Sequence, residues 1–124
     1  MKRRMLLVVA LGWTLTALVA HAQDPVKVDP KHYKVEFENE QVRVLRIHYA
    51  AGEKSVMHEH PDAVAVFLTN YSSKMTTPDG KSQPITGKAG EVRMTPAGAH
   101  LPENVGDQPM ELVLVELKGK SAGK

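Results

Sequence analysis

Between Tyr33 and Leu117 the apolar residues never recur at a helical period. They alternate, or run together, in short stretches cut by glycine and proline. That pattern restricts the chain to an all-β fold. "YKVEFEN" places Tyr33, Val35 and Phe37 on one face, and "QVRVLRIHYA" sets Leu45, Ile47 and Tyr49 opposite Val44, Arg46 and His48. "AVAVFLTN" is almost continuously apolar, as expected of a strand buried on both faces. Pro78-Asp79-Gly80 reads as a tight turn joining "SSKMTT" to "KSQPIT", because proline presets φ and glycine accepts positive φ. "GKAGE" and "VGDQP" are further turns, and "MELVLVEL" is a closing strand. Strands of this length, with no internal repeat, are expected to close as a single antiparallel jelly-roll β-barrel.

The two ends read differently. "MKRRMLLVVALGWTLTALVAHA" has a basic start (Lys2, Arg3, Arg4), an apolar run to Ala20 and the small-x-small ending Ala20-His21-Ala22. These are the parts of a secretory signal over 1–22, with cleavage expected before Gln23. The alternative is an uncleaved anchor, since the run is near the lower limit for crossing a bilayer. Cleavage makes the protein exported, to a bacterial periplasm or the medium, with no membrane attachment afterwards. The proline-containing segment 23–33 reads as a linker or loosely held arm, 34–118 as the barrel and 119–124 as a flexible tail.

Charge and cysteine content narrow the function. The full chain has 16 basic and 14 acidic residues, and losing Lys2, Arg3 and Arg4 leaves 13 against 14. No electrostatic case for nucleic acid remains. With no cysteine in the chain, a thiol nucleophile and a thiolate-ligated metal are both excluded, and export has to be survived without disulfides.

"SVMHEHPDAVAVFLTN" opens an apolar strand with two histidines. Residues at i and i+2 of an extended segment share a face, so His58 and His60 aim at one point while Glu59 turns to solvent. A third histidine, His100, follows the Pro96-Ala97-Gly98 turn. In a small barrel a distant strand can bring it alongside the first two. Neutral imidazole suits iron, zinc, copper and nickel.

These segments resemble the two motifs of the cupin superfamily. "GEKSVMHEHPDAVAVFLTN" is similar to the first: Gly52, five residues, then His58-x-His60 and an apolar strand. "GEVRMTPAGAHLPEN" resembles the second: Gly90, five residues, Pro96, one residue, Gly98, then His100 and Asn104 at His-x-x-x-Asn spacing. The likeness spans roughly residues 35 to 117. It implies a jelly-roll barrel with a divalent metal in its mouth, held by both motifs. Two departures stand out. The first motif's usual glutamate, three or four residues after its second histidine, is replaced by Val64 and Ala65. Only Ala99 separates Gly98 from His100 where the motif has two residues, a shortening that bears on the aim of His100.

The expected metal ligands are therefore His58, His60 and His100, with Asp62 and Glu103 as auxiliary carboxylates. His32 and His48 are expected to be ordinary surface or core residues, Arg93, Arg46 and Tyr49 paired or snorkelling groups, and Met57 and Met94 core filler. The metal would be iron, zinc, manganese or nickel, with iron first, since three histidines without an acid resemble the three-histidine iron dioxygenases of the superfamily. A small-molecule oxygenase is the leading function. Val64, Ala65 and Val66 would shape its chamber, and an anionic or enolisable substrate would suit the missing negative charge. A non-catalytic small-ligand barrel and a metal-assisted isomerase or lyase are the alternatives. A homodimer formed by the 23–34 arm adding a strand to its partner is compatible with this plan.

Overall fold

The computed structural model describes residues 23–119; the expected signal over 1–22 and residues 120–124 of the expected tail lie outside them. A single helical turn, α1 (Pro25–Val28), precedes nine strands: β1 (Tyr33–Glu38), β2 (Val42–Tyr49), β3 (His58–His60), β4 (Ala63–Phe67), β5 (Tyr71–Thr76), β6 (Ser82–Gly87), β7 (Val92–Thr95), β8 (Gly98–Asn104) and β9 (Met110–Leu117). They form two antiparallel sheets, one in the order β1-β2-β9-β4-β7 and one in the order β3-β8-β5-β6. This is the expected all-β jelly roll. Pro78-Asp79-Gly80 joins β5 to β6, with Gly80 at φ +83°.

The strand patterns explain the core. The inward phase of β2 and β9 supplies Leu45, Ile47 and Tyr49 against Met110, Leu112 and Leu114, all buried. β4 departs from the expectation of burial on both faces: Ala63, Ala65 and Phe67 are buried, whereas Val64 and Val66 lie half-buried on the outer side. β1 departs too. A bulge between Val35 and Phe37 puts Val35 opposite the inward Leu45 but Phe37 opposite the outward Val44, so the expected common face is broken. Phe37 is 54% exposed.

An apolar row crosses the outer face of the five-stranded sheet. Register places Phe37 opposite Val44, Val44 opposite Val115, Val115 opposite Val64 and Val64 opposite Met94, one unbroken row across all five strands. Met94, expected in the core, is 63% exposed at the end of that row.

The stretch opened by His58 divides into two strands. Pro61 has no N–H to continue a ladder, and the chain turns there from the four-stranded to the five-stranded sheet. The Asp62 carbonyl fixes the corner by accepting from Leu117 N at 2.9 Å.

The segment before β1 is docked, not loose. Asp24 caps α1 by accepting from Val26 N at 3.1 Å, and Pro25 is buried at its first position. His32, an ordinary residue on sequence grounds, is the anchor. Its Nδ1 lies 2.7 Å from Asp29 Oδ2, its Nε2 lies 2.9 Å from Glu53 Oε2, and its ring stacks on Tyr49 with centroids 4.3 Å apart. Replacing His32 with alanine leaves Asp29 buried and short of a partner. Urea unfolding of His32→Ala is expected to show a loss of about 2 kcal/mol; an unchanged midpoint would mean the segment contributes no anchoring.

Candidate metal centre

β3 and β8 pair with His58 directly opposite His100, and His60 opposite Gly98. The i, i+2 alternation puts both β3 imidazoles on the interior face, and the third arrives from across the ladder. Ring centroids are 4.8 Å apart for His58–His60, 4.8 Å for His58–His100 and 5.2 Å for His60–His100. One nitrogen from each of the three lies within 4.8 Å of the others.

Hydrogen bonds decide which nitrogens are free. His58 Nδ1–H donates to the Val56 carbonyl at 2.8 Å, and His60 Nδ1–H donates to Glu116 Oε2 at 2.9 Å. Both rings therefore present an Nε2 lone pair. His58 Nε2 and His100 Nε2 are 3.1 Å apart, so a proton or a cation has to lie between them. Two nitrogens about 2.1 Å from one ion, at right angles, would be about 3 Å apart. The widest separation in the set exceeds that, so binding would draw the rings together. Burial, reinforced by the neighbouring His60, lowers the pKa of His58 to about 4. Burial, with His58 and His60 beside it, lowers that of His100 to about 3. Neutral, oriented imidazoles are what a divalent transition metal requires. The donor set fits such an ion.

A partly buried chain of charges backs the site. Glu116 accepts from His60 through one oxygen and from Arg43 Nε through the other, and Arg43 reaches Asp24 with Nη1 at 3.0 Å and Nη2 at 3.1 Å. Burial pushes the Glu116 carboxyl up, but the bonds from His60 and Arg43 outweigh it and hold it below the ordinary glutamate value. Glu116 and Arg43 lie outside both histidine motifs, although each carries a signal in the sequence. Each falls on the inward phase of its strand, Glu116 after Leu112 and Leu114, Arg43 before Leu45 and Ile47.

His60 and His100 border a chamber of about 370 Å³ inside the barrel, walled by Ile47, Phe67, Tyr71, Ile85 and Leu112 among others. Tyr33 and Tyr49 also line it, with their hydroxyls 2.6 Å apart. Ala65 occupies the interior position of the two candidate acid slots and borders this space, while Val64 and Val66 face outward and do not shape it. Arg93 reaches the chamber edge but is engaged, with Nη2 2.6 Å from both the Thr86 carbonyl and Glu91, and its guanidinium 5.1 Å from the Phe67 ring centroid.

Asp62 and Glu103, expected as auxiliary carboxylates, are placed elsewhere. Asp62 is exposed and accepts from Ala97 N at 2.7 Å. Glu103 pairs with Lys74 at 2.9 Å, which keeps its carboxyl below the ordinary value. His48 is exposed, and Arg46 pairs with Glu36 and Glu111. Asn104, of the second motif, is buried and donates to the Ala50 and Gln108 carbonyls at 3.1 and 2.9 Å, a structural role.

The fold has close counterparts among solved structures. A cupin domain from Bordetella pertussis superposes with TM-score 0.65 at 28% identity, covering 70% of this chain and 92% of that one. The chain belongs to the cupin superfamily. A conserved protein with a double-stranded β-helix domain from Klebsiella pneumoniae gives TM-score 0.57 at 22% identity, over 73% of this chain and 78% of the other. An RmlC-like cupin family protein from Methanocaldococcus jannaschii gives 0.55 at 22% identity, over 72% and 83%. No protein-family model and no curated protein matches the sequence. In this cupin barrel the first-motif acid is missing from the chamber wall, and the carboxylate nearest the histidines, Glu116, sits behind His60.

The histidine burial sets a pH dependence. In the metal-free protein His58 and His100 stay neutral down to about pH 4 and about pH 3. The unfolded chain takes up those protons near pH 6.5. Their contribution is whole above about pH 6.5 and falls as the pH drops towards 4. The urea midpoint of metal-free protein is expected to hold from pH 8 to 7 and to decline below that, less steeply in His58→Ala/His100→Ala. Equal slopes would contradict burial of neutral rings.

Proposed function

We propose that the protein is an exported small cupin whose His58, His60 and His100 hold a divalent metal, iron first among iron, zinc, manganese and nickel, and that it oxygenates a small anionic or enolisable molecule. The observation that carries the reading is three converging imidazoles, two of them on the wall of a 370 Å³ largely apolar chamber whose lining residues include no carboxylate. The bound metal supplies Lewis acidity and, as iron, one-electron chemistry with dioxygen. The chain's own part is to hold the rings, exclude water and orient the substrate. Ala65 leaves room where an acid side chain would stand, and the uncompensated charge favours a substrate that brings its own. Phe67, Tyr71 and Ile85 give the substrate's apolar part a dry surface, and the Tyr33–Tyr49 hydroxyl pair offers a hydrogen bond beside His58 and His60. Export is supported by Lys2, Arg3 and Arg4 before the apolar run and by Ala20-His21-Ala22.

The same bare chamber favours a second reading. Without a lining carboxylate it has no obvious general base, which suits a ligand-binding barrel and weighs against an isomerase or lyase. Metal content of protein purified without a histidine tag separates these. Near-stoichiometric metal, lost in a folded His58→Ala/His100→Ala variant, is the expected result. Dioxygen consumption by the iron-loaded protein with diketones, phenols or thiols would then support the oxygenase, and none with any of them would leave the binding barrel.

A further inference from the structure

We infer that Glu116 is the carboxylate this site uses in place of the missing first-motif acid, acting through His60 rather than on the ion, and that Arg43 fixes its orientation. The inference rests on the metal-binding reading. Glu116 Oε2 lies 2.9 Å from His60 Nδ1, and its other oxygen is taken by Arg43 Nε, itself tied to Asp24. Glu116 is 1% exposed. An ionised carboxylate can only accept, so it holds the proton on Nδ1 and leaves Nε2 as the free donor. His60 is thereby set as a ligand before an ion arrives. Because Asp24 also caps α1, the segment before the barrel is tied to the centre through two salt bridges.

The geometry makes the role separable from mere packing. A glutamine at 116 has one acceptor and one donor, but faces two donors. If its oxygen turns to Arg43, its amide N–H meets His60 Nδ1, and the ring proton is driven to Nε2, where it blocks the ion. Removing Arg43 frees the oxygen to turn back. Cobalt(II) titration and the imidazole ¹⁵N spectrum of metal-free protein read the two consequences. Glu116→Gln is expected to weaken cobalt binding roughly 10- to 100-fold and to move His60 towards the Nε2–H form. Glu116→Gln/Arg43→Met is expected to recover both in part. Wild-type affinity and tautomer in Glu116→Gln, or no recovery in the double variant, would overturn the proposal. So would an Nε2–H His60 in the wild type, a result that needs no variant to fold. If the wild type binds no cobalt, the metal reading fails, and the spectra still decide what Glu116 does to His60.

Discussion

The cross-strand pairing of His58 with His100 is the constraint on which the site depends. Register in an antiparallel ladder is fixed by many bonds at once, so two imidazoles opposite one another cannot drift apart without unpairing β3 from β8. Alternation then brings His60 to the same face, and the turn at Pro61-Asp62 lets β4 leave for the other sheet. The three rings converge because of where the backbone is, before any ion contributes.

What makes the cluster chemically useful is the placement of its protons. A histidine trio held by backbone geometry alone could present any mixture of tautomers. Here His58 spends its Nδ1 proton on a backbone carbonyl and His60 spends its own on Glu116. The buried Glu116 would be costly without partners, and Arg43 with Asp24 behind it supplies the compensation. A second polar group, Asp29, His32, Glu53 and Ser55, holds the preceding segment against Tyr49, whose hydroxyl meets Tyr33 in the chamber wall. The polar anchors of the arm and the lining of the chamber are therefore mechanically continuous.

Much of this was legible in the sequence. Strand-like alternation between glycine and proline turns sufficed for the all-β barrel, and the two histidine motifs for the residues that converge. The segment before β1 was misread because its anchors are long-range: Asp24 finds Arg43 and His32 finds Glu53 only after folding, and local composition carries no trace of such pairs. Alternation alone places Phe37 on the wrong face, because a bulge shifts the phase of β1 by one residue. Asp62 and Glu103 lie near the histidines in sequence and are the replacement acids it suggests. The structure puts both on surface pairings and brings Glu116 from the last strand. An acidic residue on the buried phase of β9 was the sign that distance along the chain was the wrong guide.

The central claim is that three imidazoles, with no carboxylate in contact with the ion, form the protein's share of the metal's coordination. X-ray absorption at the metal edge of the loaded protein tests it most directly. The account predicts scattering from three imidazole rings, with the remaining positions filled by water-like oxygen. A shell with a coordinated carboxylate, or with fewer than three imidazoles, would contradict it.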